Sequence, residues 1–162
     1  MHRWVIMAAL LLAIGAALPA WADDAADCRD SGEVLIKNDP ARVASACRRL
    51  ADQGNAFAQV MLGITYDNGD GVPQNYAEAV KWYRKAADQG LGEAQHNLGV
   101  MYEDGEGVPQ DYVQAHVWFN LAAAQGDANA AKGRDKLAAM MTPSQIEKAQ
   151  ALAAAWKPTT GQ

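Results

Sequence analysis

Two stretches of this chain are near-copies of one another, and that fact constrains the fold more than any other. Setting residues 55–90 over 91–126 without a gap makes 17 of 36 positions identical. Leu62, Gly63 and Tyr66 fall on Leu98, Gly99 and Tyr102. Gly69, Gly71, Pro73 and Tyr76 fall on Gly105, Gly107, Pro109 and Tyr112, and Trp82 and Gly90 fall on Trp118 and Gly126. A period in the thirties marks stacked helical units, because one such unit cannot bury its apolar faces alone. Fainter copies flank the pair. Asp52-Gln53-Gly54 repeats the ending Asp88-Gln89-Gly90, which makes Ala41 to Gln53 a degenerate second helix. Ala130 continues the register of Ala58 and Ala94 and places a further first helix over Asp127 to Met141.

Each unit reads as two helices joined by a glycine turn. In the first helix Ala58, Leu62 and Tyr66 share a face at a four-residue spacing. Gly63 is a poor helix former, which points to another helix approaching closely there. The turn Gly69-Asp70-Gly71-Val72-Pro73-Gln74 supplies residues that tolerate positive φ and a proline that cannot continue a helix. Asn75 with Glu78, and Asp111 with Gln114, have the spacing of a capping box. In the second helix Tyr76, Ala79, Trp82, Tyr83 and Ala86 form the apolar stripe, and Gly90 and Gly126 fit the position just past a helix end. Thr142-Pro143-Ser144-Gln145 starts a last helix. Ile146, Ala149, Ala153 and Trp156 give that helix one apolar face, as an array-ending cap requires. The expected organisation is therefore a leader over 1–22, a degenerate repeat or cap over 23–54, and repeats over 55–90 and 91–126. A degenerate repeat with its capping helix follows over 127–157, then a frayed tail over 158–162. The fold class is all-α, a right-handed α-solenoid of stacked antiparallel helix pairs.

The leader reading rests on Arg3, the uncharged run Trp4–Leu18, and small residues at Ala20 and Ala22. The run is too short for a spanning helix, which needs about 20 residues. Cleavage after Ala22 would deliver a periplasmic or secreted protein without stable membrane insertion, expected as a monomer. Removing Arg3 leaves 13 basic and 19 acidic residues. That balance argues against nucleic acid, whose phosphates need a basic face. Export also removes the reducing environment, so Cys28 and Cys47 suit a disulfide, with two buried thiols as the alternative.

The string Leu-Gly-x-x-Tyr-x-x-Gly-x-Gly-Val-Pro-Gln-Asp/Asn-Tyr, then Ala-x-x-Trp and Ala-Ala-x-Gln-Gly, resembles the Sel-one-like repeat, a relative of the tetratricopeptide repeat. Arg134-Asp135-x-Leu137 and Met141-Thr142-Pro143 also resemble bacterial members. Residues 23–54 depart from the pattern, because they lack the glycine-valine-proline turn. The resemblance implies a non-catalytic adaptor that binds a protein or peptide partner, with no cofactor. It further implies a ligand groove along the first helices. Opposite Leu62 lie Phe57, Val60, Ile64 and Asp67, and one unit on lie Glu93, His96, Val100 and Glu103. Two accounts of this apolar content compete: an exposed groove for a partner segment, or a helix covered on both sides. Some cysteine-rich relatives are linked to β-lactam binding, which makes a hydrolase the alternative function. A permanent structural or inhibitory subunit of an envelope complex is a third.

Other chemistry is poorly supported. His96 and His116 sit on different helix types without further histidine or cysteine to complete a metal site, and read as ordinary surface or half-buried residues. Asp67-Asn68-Gly69-Asp70-Gly71 has glycine where a calcium loop needs ligands, and Val72 where it needs glycine. Ser31, Ser45 and Ser144 lie in no nucleophile motif. Gly69-x-Gly71 is not a phosphate loop.

Overall fold

The computed structural model describes Cys28 and residues 39–159; the expected leader over 1–22, its cut after Ala22 and the end of the tail lie outside the described residues. Among the described residues there are seven helices: α1 (Pro40–Asp52), α2 (Ala56–Asn68), α3 (Tyr76–Asp88), α4 (Gly92–Asp104), α5 (Tyr112–Ala124), α6 (Ala128–Ala138) and α7 (Pro143–Ala155). None is long and apolar enough to cross a membrane.

Every described helix except α4 starts where a side chain takes up orphan N–H groups. Asp39 accepts from the Arg42 N–H at 3.0 Å, and Asn55 from the Ala58 N–H at 2.9 Å. Asn75 accepts from the Glu78 N–H at 3.1 Å, and Asp111 from the Gln114 N–H at 3.1 Å. The boxes expected at those last two starts are only half made; Glu78 turns outward to Lys81 at 2.5 Å. A complete box forms at α7, where Thr142 and Gln145 cap each other.

The packing is an all-α solenoid. Helices pack in chain order from α1 to α6, and α7 returns to lie on α5. Two glycine positions show how the units interlock. The turn glycines Gly71 (φ +72°) and Gly107 (φ +70°) press onto the helix start of the preceding unit. A Cβ at Gly71 would sit 2.4 Å from the Pro40 carbonyl carbon, and one at Gly107 would sit 2.4 Å from that of Tyr76. Within a unit, the Tyr83 ring lies over Gly63 and the Phe119 ring over Gly99, where a Cβ would come within 2.5 and 2.7 Å.

Polar groups repeat with the same period. Gln59 donates to the Ala51 carbonyl at 3.1 Å, and Gln95 donates to the Ala87 carbonyl at 3.3 Å. Gln89 and Gln125 in turn donate to those two amides, each at 2.8 Å. Arg48 lies over the Trp82 ring at 5.2 Å and bonds the Tyr66 hydroxyl. Arg84 does the same to Trp118, at 4.9 Å, and to Tyr102. The Gln59, Gln95 and arginine contacts tie each second helix to the unit that follows, while the Gln89 and Gln125 bonds hold the two helices of one unit together. The Cys28–Cys47 disulfide closes the N-terminal end of the core around Val43, Ala51, Leu62 and Trp82.

The start of the tail is docked rather than frayed. Trp156 meets Trp118 edge-on, with centroids 6.4 Å apart. The Thr159 N–H and hydroxyl donate to the Asp88 carbonyl at 2.7 and 3.0 Å. The last carbonyls of α3 have no helical partner, so this segment satisfies one of them.

Candidate functional site

The outward face of the first helices is rotated from the position that Leu62 alone suggests. Ala58, Gln59, Val60, Leu62, Gly63 and Thr65 are all buried on α2, so its covered arc is broad. Val60 is 0% exposed and joins the core with Tyr83, Leu98 and Trp118, which removes it from any groove. The reason is that Gly63 lets Tyr83 close in, so α2 is flanked on both sides. What remains outward is Phe57, Met61, Ile64 and Asn68. In α4 the same register gives Glu93, Asn97, Val100 and Asp104; in α6 it gives Asn129, Gly133, which lies against the Phe119 ring instead, and Lys136, with Met140 just past the helix end. Phe57 is 44% exposed and Met140 54%, both high for large apolar side chains.

The remaining expected groove residues divide into two sets. Phe57, Ile64, Glu93 and Val100 belong to the outward stripe. Asp67, His96 and Glu103 lie at its flank and are engaged. Asp67 accepts from the Tyr83 hydroxyl at 3.2 Å, and burial together with that carboxylate pushes the Tyr83 phenol well up. Glu103 pairs with Lys136 at 2.6 Å, and His96 Nδ1 meets the Asp127 carboxylate at 2.7 Å. Both of those pairs tie α4 to the α6 segment. Met61, Asn97 and Met140 went unnamed in the sequence reading. Comparing the three registers position by position would have found them, because each replaces a residue of the stripe.

A cleft of about 390 Å³ opens at the starts of α4 and α6, lined by Gly92, Glu93, His96, Asn97, Ala122, Gln125 and Asp127. Asp127 caps α6 through the N–H groups of Asn129 and Ala130. The Ala130 N–H, helped by His96, holds its carboxyl below the usual range. Glu93 has no hydrogen-bond or ion-pair partner among the described residues.

His116 is not at the surface. It is 2% exposed, its Nδ1 has no hydrogen-bond partner among the described residues, and burial, then Arg134, hold its pKa below the ordinary value. Among the described residues no group of three His, Cys, Asp or Glu could hold a metal. The Ser45 hydroxyl donates to the Ala41 carbonyl, one turn back in its own helix.

The Sel1 repeat model matches residues 56–91 and 92–127. The chain belongs to the Sel1-like repeat family. Two crystal structures place its architecture among solved members. One is a protective antigen present in uropathogenic Escherichia coli strains and displaying an SLR fold. It is 32% identical with a TM-score of 0.74, over 85% of this chain and 29% of that one. The other is a Sel1 repeat protein from Oxalobacter formigenes, 32% identical with a TM-score of 0.59, over 68% of this chain and 44% of that one. The chain thus spans less than half the length of either. No curated protein matches it. Sel1 repeats build helical protein-interaction modules that are in general non-catalytic, and this Sel1-like chain has that architecture.

Proposed function

We propose that this Sel1-like chain is an exported, non-catalytic adaptor that captures a protein or peptide segment along the outward stripe of α2, α4 and α6. The carrying observation is the exposure of Phe57 beside Ile64 on a helix whose other sides are covered. A large apolar side chain held in water on a stacked array is a ready anchor for a partner. Export is supported by the disulfide, which persists in oxidising compartments, and by the sequence of residues 1–22.

Photo-crosslinking groups at Phe57, Val100 and, as a control, Lys81 on α3 test the reading in the exporting cell. The expected outcome is a discrete adduct from the first two positions and none from the third. Adducts from Lys81 alone would refute it. Phe57→Glu with Val100→Glu should abolish capture and leave the helical circular dichroism signal unchanged.

A further inference from the structure

The two Sel1 units differ where they face outward, and the difference defines an occupant. Phe57 of α2 is replaced by Glu93 in α4 and Met61 by Asn97, and the buried Val60 is replaced by the half-buried His96. Each change converts an apolar position into a polar one, and the 390 Å³ cleft opens at those residues. The charge in the cleft is negative. His96 is bonded to Asp127 at 2.7 Å, and Glu93 has no side-chain partner among the described residues. The start of α4 has no side-chain cap, and its N–H groups favour an anion. Glu93 in the first turn already supplies that anion. Asn97 and Gln125 add amide oxygens that can accept further N–H donors. The positive residues of α6 lie further on, at Lys132 in the register of His96 and at Lys136 in the stripe, with Lys136 held by Glu103.

Resting on the groove reading above, we propose that the groove takes an extended peptide with an apolar side chain on Phe57 and Ile64, and an arginine or lysine in the cleft against Glu93. Successive first helices in a stacked array sit roughly 10 Å apart, and an extended chain covers that distance in about three residues. The recognised pattern is therefore an apolar residue and a cation about three positions apart, read across α2 and α4. Charge complementarity selects the cation: a carboxylate placed in this cleft would face Glu93 and Asp127.

The test is selection from a displayed library of random short peptides on the full chain with its disulfide intact, followed by affinity measurement on the winners. Enrichment of an apolar–cation pair at that spacing is expected. Glu93→Gln or replacement of the peptide cation by citrulline should weaken binding about 10-fold, and added salt should weaken it too. Phe57→Glu should weaken it independently. If Phe57→Glu matters but Glu93→Gln and citrulline do not, the groove stands and the cation site falls. If Glu93→Gln matters and Phe57→Glu does not, the groove reading falls with the two-point pattern. Enrichment of acidic peptides, or free arginine binding as tightly as the peptides, would overturn the proposal.

Discussion

The contacts between units and the outward face of the first helices follow opposite rules. Between units, α3 meets the unit that follows it almost group for group as α1 does: the turn glycine on the helix start, the buried glutamine on a helix-end carbonyl, the arginine over the tryptophan. On the outward face, the same two units present Phe57, Met61 and Ile64 in one and Glu93, Asn97 and Val100 in the other. The comparison shows which positions a stacked array leaves open to change. A residue that fills the space between units has one geometry available, whereas one facing water is free to serve a partner.

The largest way to break this comparison is at a turn glycine. Gly107→Ala should cost on the order of 3 kcal/mol, because its Cβ would strike the Tyr76 backbone and the left-handed φ is itself unfavourable. Gly126 also has positive φ (+96°), but a Cβ there would meet nothing within 4 Å. Gly126→Ala should therefore cost only about 1 kcal/mol. Urea unfolding of the two variants reads the difference, and equal losses would show that the turn does not bear on the neighbouring unit.

A smaller effect is expected at the arginine arch. Arg84→Ala should lose about 1 to 2 kcal/mol through the cation over Trp118 and the covered ring surface. Asn120, the next residue in that register, faces Arg134 at 3.4 Å instead of an indole, because Ala154 stands where a third tryptophan would be. Asn120→Ala should lose clearly less in the same unfolding assay.

The smallest effect concerns pH. Val80 and His116 occupy the same register. His116 is held below its ordinary 6.5 by burial, so the unfolded chain binds this proton more readily than the folded one. Stability contributed by the neutral imidazole is full above about 6.5 and falls as pH drops below it. His116→Val should flatten that part of the stability–pH curve, measured by unfolding midpoints at successive pH values.

Much of the array was legible in the sequence because glycine, proline and capping residues act locally. Gly63 and Gly99 announce a close approach, and Thr142-Pro143-Ser144-Gln145 announces a helix start, whatever the rest of the chain does. The outward face was less legible. An apolar position on one helix does not say how many neighbours that helix has, so Val60 and Ile64 look alike in sequence while only Val60 is fully enclosed. The arginine arches and glutamine ladder were hidden for another reason: they join polar side chains to groups on other helices, and hydrophobic periodicity carries no information about polar partners. The docking of Thr159 on Asp88 is likewise a long-range contact that tail composition does not reveal.

Exchanging the outward residues of the two units, Phe57→Glu together with Glu93→Phe, tests the division of labour most directly. Both positions face water, so the urea midpoint should stay within about 0.5 kcal/mol of the unaltered chain. A loss above about 2 kcal/mol would mean that these side chains hold the stack together, and the separation of stacking from partner recognition would be wrong.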